Sequence, residues 1–565
     1  MNNNKPIANL KKIKFIEELT SRLPAIQLLR NNGRPDHFFS IMNDYRRLKA
    51  DFKFLKYVPE NLSGKRILIV SLNHMLYQIK LEAMLAKGLQ LQGCQVSVLT
   101  WKHFYWPKKY FELFAIKDYV FFEKYFNQFK NFGCQKQVDQ YLSKKLDFQS
   151  VKKWTYKGCR IGQQVLSKMA RRMYGTPALE DPGIKELLKF YLERQIRAIE
   201  ASDLFLEKVK PEVLIFNEAK DYIYGAIFDL ALGKGLDIIQ FIQPIREDSL
   251  ILKRFNKESN GLHPNSLTSS TFNKIENISW SKDKEDALWQ EFSNRYSGKW
   301  FLSERNQPGA LKKGRKDILK SLNLDQNKKT VVVFSHVLWD ANLFYGEDIF
   351  QDYEEWFIET VKAACANDKV NWIIKVHPAN IWKRNRDKVS GELRETVIIR
   401  ENIGRIPEHV FILTPDIKID TFSLFEAADY AVTVRGTTGM EFPCFGKPIF
   451  TAGTGRYSGL GFTIDSDTKD QYLDRLSRIQ DFPGLGDIET IKAKKHAYAI
   501  FNLRPWMMES FKAEFNYQKK GAHPLDHNLH PAISSKEELS RAGDLKRFSD
   551  WVLNSKDTDY LNTGF

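Results

Sequence analysis

The 565-residue chain carries 86 lysines and arginines against 69 aspartates and glutamates, a net charge of +17, with 43% hydrophobic and 13% aromatic residues. That hydrophobic content excludes wholesale disorder, and the length is too great for one compact core, so two domains with additional helices are expected. The positive balance favours anionic partners: nucleotide sugars, acidic polysaccharide, the inner membrane surface or nucleic acid.

Residues 1–63 read as an N-terminal helical extension. Within it, Ile13 to Leu29 is amphipathic with basic residues on both sides, and packing on the body is favoured over lying on an anionic leaflet. Lys65 to Val70 is an apolar strand, Leu81, Met84, Leu85 and Leu89 recur at helical spacing until Gly93, and Gln95 to Leu99 is the next strand. This β-α-β opening predicts a Rossmann-like lobe over 64–300. The loop Ser71 to Tyr77 lacks G-x-G-x-x-G, which argues against a dinucleotide there. From Trp101 to Met173 the chain reads as helices whose aromatics belong to the core more than to sugar platforms. The pair Arg171-Arg172 either faces an anionic acceptor or solvates a surface. Strands follow at Pro211 to Phe216 and Asp237 to Ile242, with Gln243-Pro244-Ile245-Arg246 offering an anion contact.

Glu218 and Asp221 fall just past the carboxyl end of a strand, where catalytic groups of parallel sheets collect; a helix N-terminal acid is the competing reading. His74, at the end of the first strand, is a third candidate base beside a structural reading.

Tyr296 to Lys329 is polar and basic, with Gln307-Pro308-Gly309 and Lys312 to Lys316, and suits an interdomain linker over 301–329. Thr330 to Phe334 is a buried-type strand ending in Ser335-His336, with Trp339 and Asp340 close behind; Tyr353, Trp356, Phe357 and Val361 mark a helix. Asn371 to Val376 is a strand that stops at Pro378, which has no ladder N–H and pushes His377 toward an extended conformation. Val410 to Leu413 is another strand, Thr421 to Ala428 a helix, and Tyr430 to Val434 a strand running into Arg435-Gly436-Thr437-Thr438. Hydroxyls, glycine-freed amides and a helix N-terminus make a ready anion site. In a parallel sheet Ser335, His336 and Asp340 share a crevice with His377. Thr438 to Glu441 also fits a capping box, and Pro443 argues for a short or bent turn. A second Rossmann-like lobe is expected over 330–500, and a helical extension over 501–565.

Five cysteines, Cys94, Cys134, Cys159, Cys365 and Cys444, have no C-x-x-C spacing and fit free thiols in a reducing compartment. No signal-peptide core occurs, and no run nears the roughly 20 apolar residues of a membrane span, so a cytoplasmic protein is expected, with peripheral contact at the inner membrane left open.

Lys375-Val376-His377-Pro378, the stretch Arg435 to Pro448 with its Gly446-Lys447-Pro448, and Thr451 to Gly461 resemble the capsule polysaccharide biosynthesis proteins. These are glycosyltransferases of the GT-B fold that include bacterial transferases of CMP-activated Kdo; bacterial sialyltransferases are similar at the His-Pro motif. The resemblance runs from Val331 to Phe462 and implies an α/β fold of two Rossmann-like lobes with the active site between them. By it His377, Thr437 and Thr438 would contact phosphate and Glu441 would reach the ribose; Arg435, beside them, is expected to share in stabilising the leaving phosphate. Ser335, His336, Lys375 and Gly436 complete the candidate phosphate set, and the turn Thr414 to Ile417 would lie near the nucleobase. The resemblance also implies phosphate held without a divalent ion, so Asp465 and Asp467 read as solvated turn residues, and no metal or cofactor is expected. The expected partners are a nucleotide sugar, with CMP favoured, and a polysaccharide or lipid-linked glycan acceptor bound by the N-terminal lobe, with no nucleic acid. The alternatives are a UDP-sugar transferase, a UDP-GlcNAc 2-epimerase-like enzyme, a CDP-glycerol polymerase and a non-catalytic scaffold for anionic polymer or membrane. For the last, Lys383 to Arg386 adds charge beside the His-Pro motif.

Overall fold

The computed structural model describes residues 35–173, 175–243, 246, 248–296, 310–338, 343–379, 392–515, 523 and 525–562. Ile13 to Leu29, Gln307 to Gly309, Trp339, Asp340 and Lys383 to Arg386 lie outside them.

The first sheet is built from β1 (Arg66–Val70), β2 (Gln95–Thr100), β3 (Asp118–Phe121), β4 (Val213–Phe216), β5 (Asp237–Ile242) and β6 (Ser249–Phe255). The second contains β7 (Thr330–Phe334), β8 (Asn371–Lys375), β9 (Val410–Leu413), β10 (Tyr430–Thr433), β11 (Ile449–Thr451) and β12 (Ile464–Asp465). Its order is β12-β11-β10-β7-β8-β9, parallel throughout. Every residue of β7 and β8 is buried, as continuous apolar runs of a sheet covered on both faces require. The two sheets with their flanking helices are the two Rossmann-like lobes of the GT-B plan.

The C-terminal region departs from the helical expectation. It returns as β13 (Pro505–Met507), which pairs antiparallel with β6 and completes the first sheet in the order β13-β6-β5-β4-β1-β2-β3. Proline is tolerated there because β13 is an edge strand. A hairpin of β14 (Phe511–Phe515) and β15 (His527–Pro531) follows, then a helix Gly543–Asn554. The tail beyond carries Asp559, whose carboxylate lies 2.6 Å from Lys253 Nζ and 3.4 Å from Arg504 Nη2 and accepts the Thr268 amide at 2.8 Å. All three charged side chains are fully buried.

The lobes are interleaved. The loop after β7 sends Leu343 and Phe344 into the apolar cluster formed by β1, β4 and the helix Pro182–Val209. Gly346 follows at φ +105°, and a Cβ there would meet the Thr454 carbonyl oxygen at 2.2 Å, so only glycine fits that passage. In the other direction, helices Ser269–Glu276 and Lys282–Tyr296 share an apolar cluster with the helix Asp487–Tyr498 and with Met440 and Tyr457 of the second lobe. Between Trp101 and Met173 the aromatics Trp106, Tyr110, Phe111 and Phe122 are core, as expected, but the short edge strand β3 interrupts the helices. No helix among the described residues is long and apolar enough to cross a membrane. All five cysteines are free thiols.

Candidate functional site

At the carboxyl ends of β7, β8 and β10, one crevice is lined by Ser335, His336, Lys375, His377, Gly436, Thr437 and Thr438, together with Phe334, Pro378, Thr421, Thr433 and Arg295. None of these is a carboxylate, so the donor set suits an anion. The Ser335 hydroxyl accepts the His377 amide at 2.9 Å, and His377 Nδ1 accepts the Ala379 amide at 3.1 Å. With Nδ1 engaged as acceptor, the neutral ring carries its proton on Nε2 and is a ready donor. Lys375, the last residue of β8, is buried, and burial pulls its pKa down to about 8 against the opposing charge of Asp420.

His336 plays another part. Its Nε2 accepts the Val434 amide at 3.1 Å, and its ring lies 4.5 Å from that of Tyr353. Burial, with His377, Arg435 and Arg456 adding repulsion, holds it well below the ordinary histidine value, so it stays neutral and props the turn after β10. Arg435 turns its head away from the crevice, donating to the Glu347 carbonyl at 3.1 Å and pairing with Asp348. Asp348 in turn lies 3.7 Å from Lys152 of the first lobe.

The short helix Thr438–Glu441 has no capping box: Thr437 is the N-cap residue and makes no side-chain cap bond. Glu441 is fully buried and meets Arg295 Nε at 2.8 Å, and it is not among the residues that line the crevice. The same arginine donates from Nη2 to the Thr437 hydroxyl at 3.1 Å. Arg295 was not legible as a site residue, because it lies 142 positions from Thr437 and no local pattern marks it. The Thr438 hydroxyl is buried at the crevice and has no hydrogen-bond partner among the described residues.

Gly439 admits Tyr457, whose hydroxyl donates to the Gly436 carbonyl at 2.8 Å. A Cβ at Gly439 would sit 2.0 Å from the Tyr457 ring and hydroxyl. Gly439→Ala is therefore expected to displace Tyr457 and cost about 1–3 kcal/mol of stability, checked by urea unfolding. Asp465 is no solvated turn residue. It accepts from the Thr451 and Thr463 hydroxyls at 2.7 Å each and from the Gly459 amide at 2.7 Å, and so organises the glycine-rich loop. The turn Thr414–Ile417 is closed by a 3.1 Å bond between its ends.

On the first lobe, Glu218 is exposed and its charge acts on Tyr224 and on Tyr345, which comes from the second lobe. Asp221 is engaged, accepting from the Ser167 hydroxyl at 3.0 Å and pairing with Arg171 at 2.9 Å; it is also the residue that opens the helix Tyr222–Gly233. His74 is exposed against Phe104, with ring centroids 6.2 Å apart. Arg246 pairs with Glu291 at 3.3 Å and so is not an open anion contact. Sequence reasoning missed Glu82, a fully buried acid beneath the loop after β1 that binds the Asn73 side chain at 3.2 Å. Burial pushes it up to about 8, against hydrogen bonds from Ser71 and Asn73. Its sequence signal was no more than an acid beside the helically spaced Leu81, Met84, Leu85 and Leu89.

Fold and crevice together define a two-lobed α/β protein of the GT-B class with a donor-lined crevice on its second sheet. Residues 296–481 match the model of the family described as capsule polysaccharide biosynthesis protein, the family that the motifs of this stretch resemble. Among solved structures, the KpsC β-Kdo 2,4 transferase of Thermosulfurimonas dismutans is 14% identical, covering 58% of this chain and 87% of its own, at a TM-score of 0.33. The UDP-GlcNAc 2-epimerase of Neisseria meningitidis is 12% identical, covering 77% of this chain and 96% of its own, at a TM-score of 0.26. Likeness at that level carries no argument about activity. A comparison with curated proteins finds no match.

Proposed function

We propose that this protein is a metal-independent glycosyltransferase that moves a sugar from a nucleotide donor, CMP-linked, onto a growing capsular or surface polysaccharide or glycolipid. The observation that carries this reading is the gathering of Lys375, His377 and the Thr437 and Thr438 hydroxyls, all within the stretch that matches the capsule family, in one crevice with Arg295. Departure of the nucleotide concentrates negative charge on its phosphate. Donors already fixed around that position favour the charged transition state without having to reorganise. Glu218, exposed just past the end of β4 with its charge reaching Tyr345 of the second lobe, is the carboxylate proposed to take the acceptor hydroxyl's proton.

Thermal midpoints measured with millimolar CMP, CDP, UDP and GDP test this. A ligand at about a hundred times its dissociation constant adds roughly 2.7 kcal/mol, which raises the midpoint by several degrees. CMP is expected to produce that rise in the wild type, and His377→Ala to remove most of it. A rise with UDP alone would favour the UDP-sugar or epimerase alternative, and no rise with any nucleotide would sink the proposal.

A further inference from the structure

Arg456, in the loop after β11, and His263, in the segment after β6, meet across the two lobes in a contact that their nitrogens leave incomplete. His263 Nδ1 accepts the Asn265 amide at 3.0 Å, which places the neutral ring's single proton on Nε2. That Nε2 lies 3.1 Å from Nη2 of Arg456, and an arginine offers donors only. Moving the proton to Nδ1 transfers the conflict to the Asn265 amide, and protonating both nitrogens sets a second cation against the guanidinium. Every protonation state leaves at least one N–H facing another. Burial, with Arg456, Lys220, Lys253 and Arg504 adding repulsion, keeps the ring neutral. The groups that act on Arg456 are the Tyr457, Tyr353 and Tyr345 phenols and Arg295, and among the described residues no carboxylate forms an ion pair with it.

The pair adjoins the phosphate crevice. Tyr457, next in sequence, donates to the Gly436 carbonyl at 2.8 Å, and the Arg456 charge reaches His336. On the far side, Tyr345 packs edge-on against His263 with ring centroids 4.7 Å apart. We infer that Arg456 and the Nε2–H of His263 together hold a second anionic group of the ligand, an oxyanion whose oxygens accept from both. Such a group resolves the donor-to-donor contact and supplies the guanidinium with its missing counter-charge. Two sources carry this chemistry: a carboxylate on the transferred sugar, or the second phosphate of a nucleoside diphosphate. The inference rests on the neighbouring crevice holding the first phosphate.

Calorimetric titration of the full chain with CMP, CDP and CMP-N-acetylneuraminate, in the wild type, Arg456→Gln and Arg456→Lys, tests it. Arg456→Gln is expected to bind CMP within about twofold of wild type while losing about tenfold or more on one of the other two probes, with partial recovery in Arg456→Lys. Loss on CMP-N-acetylneuraminate identifies a carboxylate, and loss on CDP a second phosphate. Equal affinities of wild type and Arg456→Gln for all three probes overturn the second site and leave the first standing. An equal loss on all three does the same, because it assigns Arg456 to the first phosphate. A wild type that binds none of them overturns the nucleotide reading, and this inference falls with it.

Discussion

A Lys375→Met variant is expected to lose about ten- to hundredfold in CMP affinity, the contribution of a hydrogen bond to a charged group, and to lose more in turnover. It is also expected to withstand urea better than the wild type. Both effects come from one side chain. Burial pulls the Lys375 ammonium from 10.5 down to about 8, so the folded protein holds that proton less tightly than the unfolded chain does. Stability therefore rises with pH between about 8 and the ordinary lysine value, and below about 8 the full penalty stands, on the order of 3 kcal/mol. Methionine keeps the volume and removes the buried charge, so the penalty goes with it. Function runs the opposite way: the ammonium is lost as pH climbs through about 8, and kcat/KM should fall over that range. Bound phosphate stabilises the charged form, so the matching limb in kcat lies at higher pH. CMP affinities of the wild type that are equal at pH 6.5 and pH 9.5 would place the ammonium out of the phosphate's reach.

Asp559→Ala should lower the unfolding free energy by about 3–5 kcal/mol, a large fraction of the roughly 5–15 kcal/mol that holds a typical domain. Removing this carboxylate strands Lys253 and Arg504, both fully buried, without a counter-charge. Burial would raise Asp559, but Arg504 and Lys253 outweigh it and hold the carboxyl well below the usual range. Its contribution is present above the ordinary aspartate pKa and is lost as pH falls through the lowered native one, so the deficit of the variant against wild type should shrink only in strong acid. Urea midpoints at pH 7 give the size of the effect. Combining Asp559→Asn with Lys253→Met should recover part of the loss, because removing two opposed buried charges together costs less than removing one.

The second lobe was largely legible. β7, β8 and β10 are short apolar runs ending in Ser335, Pro378 or the glycine-containing turn, and a sheet buried on both faces needs that pattern. The structure gathers Ser335, Lys375, His377, Thr437 and Thr438 at their ends. What stayed hidden depends on distant partners. β6 contains Lys253 and Arg254, which break its apolar run, and Lys253 is tolerable there only because Asp559 meets it from 306 positions away. β13 opens on a proline and is three residues long, too little for periodicity to register. Arg435 and Glu441 sit where the motif puts them, but their side chains answer to Asp348 and Arg295, whose positions no local pattern reveals.

The exchange of parts between lobes bears on how such a chain could change over evolutionary time. Leu343 and Phe344 fill the first lobe from the second, while β13 closes the first sheet from beyond the second lobe. Lobes that merely face each other can be traded between relatives like cassettes, acquiring a new acceptor half beside an old donor half. Here a transplanted half would arrive with a hole where Leu343 and Phe344 belong and a bare sheet edge along β6. Recombination between the two lobes should thus yield mostly misfolded hybrids.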